Sequence, residues 1–193
     1  MRRRINEAGT AFAYERSFQS EGVRLLEAVA SLDGRRRPVA VFGRDVVEHV
    51  RCVDLVRRSF DLCPYAESST QHVLTDSYIV EQLGRLVQFN CCSEPAVALV
   101  HKAVQPAVTF YLRLSAEAAI ERMRGRTKGD ALLLTDDPIA ETRAVIAGIE
   151  QALNRAFAPV VELDALLSVE ALCDGVWQHM GKRLAPDEVV TGA

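Results

Sequence analysis

The chain has 193 residues, enough for one domain with a full hydrophobic core. A composition of 49% hydrophobic and 25% charged residues excludes a large disordered fraction. The net charge of -3 gives no general attraction to nucleic acid or to a membrane surface, and the basic clusters are short and local.

The first residues, Met1 to Glu7, are charged and lack the apolar centre of a signal peptide. Arg2 to Glu7 reads as the tail of a helix that Gly9 ends. Thr10 to Arg16 is a short apolar and aromatic run, expected to be a strand. Gly22 to Ser31 carries apolar residues at helical spacing, with Val23, Leu26 and Ala30 in step. After a basic turn, Val39, Phe42, Val46, Val50, Val53 and Val56 recur three or four apart, which predicts one helix from Pro38 to Ser59 with Gly43 as its weak point. Asp61 to Gln71 reads as a polar loop, Val73 to Asp76 as a short strand, and the stretch from about Ile79 as a helix. Cys91 to Pro95 breaks that helix, and another is expected over Ala96 to Val104.

Ala107 to Leu114 is the clearest strand, with the nearly continuous apolar pattern of a strand covered on both faces. Ser115 is placed to cap the helix that follows, with Glu117 in its first turn and Glu121, Arg122, Arg124 and Arg126 further along. Thr127 to Pro138 reads as a loop or flap, Ile139 to Phe157 as a helix, and Ala158 to Ala165 as the last strand. Ser168 caps a final helix to about Arg183, before a loose tail. Strands alternating with helices predict an α/β fold, a three-layer open parallel sheet with helices on both faces. Ligands of such sheets sit beyond the carboxyl ends of the strands, where Arg16, Asp76 and Arg113 fall.

The five cysteines, Cys52, Cys63, Cys91, Cys92 and Cys173, include no Cys-x-x-Cys pair. The four histidines show no ligand spacing with acids or cysteines. Reduced thiols in a cytoplasmic protein are the expectation. No apolar run approaches the ~20 residues of a membrane helix.

Three pieces carry a resemblance. They are Val73-Leu74-Thr75-Asp76-Ser77-Tyr78, the stretch from Phe110 to Asp130 with Arg122 and Arg126 spaced four apart, and Val160 to Leu172 with its acidic corner. In this order they resemble the thymidylate kinase family of P-loop nucleoside monophosphate kinases. Arg4 to Arg16 and Phe42 to Val50 also look like family segments, so the likeness runs thinly from about Arg4 to Leu184. The resemblance implies one domain over residues 1–184, a lid over about 122–137 and a tail at 185–193. It implies ATP and Mg²⁺ as cofactors and transfer of the γ-phosphate to a nucleoside monophosphate. Asp76 would order the metal shell, Arg122 and Arg126 would close over the transferring group, and Arg124 and Lys128 would assist at the donor. Arg16, Arg44, Asp45 and Tyr78 would meet the acceptor.

The departures are specific. No G-x-x-x-x-G-K-[ST] occurs in the chain, so the backbone cradle for phosphates is absent, and with it the family's first, central strand. Ser77 follows Asp76 where the family has Arg, Val46 follows Asp45 where it has a phosphate-binding Arg, and Glu15-Arg16-Ser17 replaces its Arg-Glu-Pro corner. Such transfer depends on positioned positive charge. Each candidate also has a plain structural reading: Asp76 as a helix cap, the arginines as a solvated face, Arg44 and Asp45 as a surface ion pair, Tyr78 as core.

Three readings follow: a nucleotide kinase whose phosphate loop lies upstream of this start, a catalytically dead relative that binds a nucleotide or a partner protein, or a general α/β domain. Without the first strand the sheet has a gap next to the strands of Val73 and Thr109, so this chain alone is expected to be marginal in solution or to pair through that gap with a partner or itself. A nucleotide-like small molecule is the expected ligand, with no nucleic acid or membrane partner.

Overall fold

The computed structural model describes residues 11–15, 20–32, 34, 37–67, 71–127, 130–155 and 158–184. Strand β1 (Ala11–Glu15) leads into helices α1 (Glu21–Leu32), α2 (Pro38–Phe42), α3 (Arg44–Ser59) and the single turn α4 (Cys63–Ala66), before β2 (Gln71–Thr75). Helices α5 (Ile79–Gln88) and α6 (Glu94–Val100) follow. Then come β3 (Thr109–Arg113), α7 (Ala116–Arg124), α8 (Pro138–Leu153), β4 (Val160–Asp164) and α9 (Val169–Leu184).

The four strands form two parallel pairs rather than one sheet. β1 pairs with β2 from Ala11 opposite Gln71 to Glu15 opposite Thr75, and β3 pairs with β4 from Thr109 opposite Val160 to Arg113 opposite Asp164. Each pair is joined through helices, as parallel neighbours require. Among the described residues no ladder joins β2 to β3, so the continuous three-layer sheet expected from the sequence is not formed by them.

The core explains how the halves hold together. Cys52 and Leu55 of α3, Ile79, Leu83 and Leu86 of α5, Ala96 and Val100 of α6, and Ala152 of α8 make one buried cluster. Among the residues whose burial is described it is a core of helices and their connecting turns, with no strand residue in it. Helices α5 and α8 make the most extensive contact between elements. They approach closely because both are Gly at the crossing: a Cβ on Gly148 would lie 2.8 Å from the carbonyl oxygen of Gly84.

Several local expectations need correction. Pro38 to Ser59 is two helices, because Gly43 adopts φ +83°, closes α2 through its N–H to Val39 and opens α3. Helix α6 starts at Glu94, since the Ser93 hydroxyl accepts from the Ala96 N–H and Pro95 fits the first turn. Helix α7 ends at Arg124, so Arg126 is not on the same helix as Arg122. The apolar run of β3 is half-buried at Thr109 to Tyr111 and exposed at Leu112, not covered on both faces. The caps at Ser115, Asp137 and Ser168 each accept a backbone N–H three residues on. No helix among the described residues is long and apolar enough to cross a membrane.

Burial divides the thiols. It pushes Cys52 up to about 11 and, reinforced by Asp45, Cys91 up to about 12. The other three are half-buried. A maleimide at mildly alkaline pH is therefore expected to modify Cys63, Cys92 and Cys173 well before Cys52 and Cys91. Equal rates for all five by mass spectrometry would contradict this core.

Candidate functional site

The carboxyl ends of β3 and β4 open into a cleft of about 690 Å³ against α8. Its polar lining is Arg113, Ser115, Arg143, Glu150, Glu162 and Asp164. The parallel register sets Arg113, Glu162 and Asp164 on one face, and α8 brings Arg143 and Glu150 to it. Arg113 is opposite Asp164 and Tyr111 opposite Glu162, and residues two apart along a strand share a side. Arg113 lies 3.4 Å from Glu162, and Arg143 donates to Glu117. Glu117 is held below its usual range by its own backbone N–H first and by Arg143 second. The cleft thus presents two guanidiniums and several carboxylates, mostly exposed, which suits a polar ligand with both acceptor and donor edges.

The corner after β4 ties α7 to this cleft. The Ala165 N–H donates to the Arg113 carbonyl, and Arg122 reaches from α7 to donate to the Ala165 carbonyl. Arg126, beyond the helix end, is exposed and 3.5 Å from Asp130. Arg124 is exposed on the last turn of α7. Arg16 and Lys128 lie outside the described residues.

Asp76 is exposed, one residue past β2, and accepts from the Ser77 hydroxyl at 3.4 Å. Ser77 holds φ +60°, the left-handed region that costs a side-chain-bearing residue about 1 kcal/mol. Tyr78 packs on the helical core. Its hydroxyl is buried beside Ser59, whose own hydroxyl is committed to Val56 and Val104, and burial pushes it to about 12.

Arg44 and Asp45 sit elsewhere. The Arg44 guanidinium lies 4.1 Å above the ring of Phe89, at the far end of α5 from Tyr78. Tyr78 and Phe89 flank this ten-residue helix, roughly 16 Å apart along its axis. The structure therefore brings Arg113, Arg122 and the β4 corner together, and does not bring Arg44 and Asp45 to Asp76.

Two groups went unseen in the sequence. Arg143 and Glu150 are one signal, spaced i and i+7 on α8 with Ala147 between them. The other is Glu48, fully buried on α3 and gripped by the Arg85 Nε at 3.0 Å and Nη2 at 2.8 Å. Arg44 and Arg51 flank it at 3.6 and 3.7 Å. Burial, then Arg85, lowers Arg51 from its ordinary value, against the pull of Glu48. Among the described residues no three His, Cys, Asp or Glu side chains gather as a metal site.

No family model matches the chain, and no curated protein matches it. Solved structures do. A deoxyadenosine kinase from M. mycoides, with products dCMP and a flexible dCDP bound, is 16% identical over 89% of this chain and 99% of its own, with a TM-score of 0.51. The same enzyme with bound dCTP is 14% identical over the same shares, with a TM-score of 0.46. At such identity the likeness is one of fold alone, to the first of these structures.

Proposed function

We propose that this chain is a nucleotide-kinase-type domain that binds a nucleoside or nucleotide at the cleft beyond β3 and β4, with the α7 segment as its lid. The observation that carries the reading is the order of elements around that cleft: strand, Ser-capped helix with arginines, flap, helix, strand, acidic corner. The fold likeness to a deoxyadenosine kinase supports it. The reaction of this class is transfer of the ATP γ-phosphate. A nucleoside monophosphate is the acceptor that the thymidylate kinase resemblance suggests, and a deoxynucleoside the one suggested by the solved neighbour.

The chain's residues fit the acceptor and lid side better than the donor side. Arg113 and Arg143 offer positive charge in the cleft, and Arg126, half-exposed and paired among the described residues with Asp130 at 3.5 Å, can turn onto a phosphate at small cost. Arg122 can join it only by leaving the Ala165 carbonyl. Asp76 offers Mg²⁺ one exposed carboxylate, which suits an ion held mainly by phosphates and water. Nothing in the 193 residues supplies the phosphate loop. The chain alone is therefore expected to turn over no ATP. The test is a phosphoryl-transfer assay across deoxynucleosides and their monophosphates, with a mock purification as control. No transfer is expected; transfer above the mock would overturn the expectation that this chain alone is inactive.

A further inference from the structure

Glu117 stands in the first turn of α7 and Arg143 near the start of α8, and their ion pair joins the two helices beside the cleft. Ser115, Ala116 and Arg143 line that cleft, and Glu117 lies next to them in sequence or in space rather than in the lining. Its carboxylate is favoured by its own backbone N–H first, then by the Arg143 guanidinium, and less by the Ser115 hydroxyl. A backbone N–H in the first turn of a helix, a hydroxyl and a guanidinium are together the donors that hold a phosphate. Here a side chain of the protein itself sits on them. The pair is open to solvent, with 66% of the Arg143 side chain and 55% of the Glu117 side chain exposed, so a ligand can reach it and it holds weakly. Of the two guanidiniums in the lining, Arg113 is matched by Glu162 at 3.4 Å on the neighbouring strand. Glu150 stands two turns further along α8, roughly 10 Å from Arg143 along the axis.

We propose that the Glu117 carboxylate occupies the seat of the ligand's phosphate, so that the cleft takes a nucleoside monophosphate by exchange. The phosphate takes over Arg143 and the Ser115 end of α7, and the Glu117 side chain turns out to solvent. The inference rests on the nucleotide reading of the cleft and selects the monophosphate over the deoxynucleoside as its substrate class. A neutral nucleoside has no group that displaces a carboxylate from a guanidinium, and it leaves the pair intact. A phosphate carries more charge than the carboxylate and three acceptor oxygens, so it can replace Glu117 on all of its donors. Glu117 is exposed on a helix that is tethered elsewhere, by Arg122 at the Ala165 carbonyl, so the exchange needs a rotamer change and no movement of α7. Glu117 is then a specificity-determining residue that competes with the ligand instead of touching it.

The test is calorimetric titration of the full chain with the four deoxynucleosides and their 5′-monophosphates, for the wild type, Glu117→Gln, Arg143→Gln and the double variant. Removing the competing charge in E117Q is expected to tighten monophosphate binding roughly threefold, the scale of one exposed ion pair, with no gain for the deoxynucleosides. R143Q is expected to weaken monophosphate binding, and in the double variant the gain from E117Q disappears, because the two residues act through one contact. Glu117→Ala gives the same reading without an amide oxygen that could still hold Arg143. Monophosphate binding unchanged in both Glu117 variants overturns the proposal. So does an equal gain for the neutral nucleosides, or a gain that persists without Arg143. Saturable binding by no nucleotide at all overturns the reading of the cleft itself, and this inference with it.

Discussion

Replacing Glu48 with alanine is expected to destabilise the fold by about 3 kcal/mol. The carboxylate is fully buried on the core face of α3 and accepts two bonds from Arg85. Removing it leaves three guanidiniums facing each other, with Arg51 already disfavoured by burial and by Arg85. Their side chains keep 27% to 40% exposure, which holds the cost at the lower end for a broken buried pair. Glu48→Gln keeps an oxygen for Arg85 and is expected to cost about half as much. Urea unfolding measures both. An alanine variant within about 0.5 kcal/mol of wild type, the ordinary range for a surface change, would contradict the cluster's structural role.

Gly148→Val is expected to be worse for cooperativity. The added Cβ would approach the Gly84 carbonyl oxygen to 2.8 Å, a backbone atom that moves only if α5 moves. Overpacking of this kind costs 1–3 kcal/mol or more, against about 0.5 kcal/mol recovered by removing a mid-helix glycine. The location matters more than the sum. Helix α5 follows β2 and α8 precedes β4, and the described strands make no ladder between the two halves. Loosening this crossing is expected to split one unfolding transition into two, or to lower the denaturant slope. A single transition of wild-type slope and midpoint would show that α5 and α8 do not bind the halves together.

Much of the fold was legible because it is written in local chemistry. The Ser115 cap, the acidic first turn at Glu117 and the glycine-bounded β1 all read directly from the sequence. Helical spacing over Pro38 to Ser59 was also real, but periodicity cannot see a single φ, and Gly43 turned one helix into two. The apolar run of β3 suggested burial on both faces. Burial depends on what packs there, and Leu112 is exposed. The candidate site was legible in part for a similar reason. Arg122 stood out by its place after a strand, and its bond to the Ala165 carbonyl at the β4 corner comes from packing that the sequence does not state. Arg143 and Glu150 join the cleft only through the packing of α8, a relation between distant segments. Arg44 and Asp45 were grouped with Asp76 by resemblance, and the antiparallel packing of α3 on α5 sets them at opposite ends.

The central claim is that the cleft beyond β3 and β4 takes a phosphate-bearing nucleotide. Its most direct test is calorimetric titration of the full chain with deoxynucleoside mono- and triphosphates, beside Arg126→Ala. The account predicts saturable binding that this substitution weakens about tenfold, close to the 1.4 kcal/mol of one good charge-assisted hydrogen bond, with an unchanged melting temperature. No saturable binding by any nucleotide, or binding that Arg126→Ala leaves untouched, would contradict it.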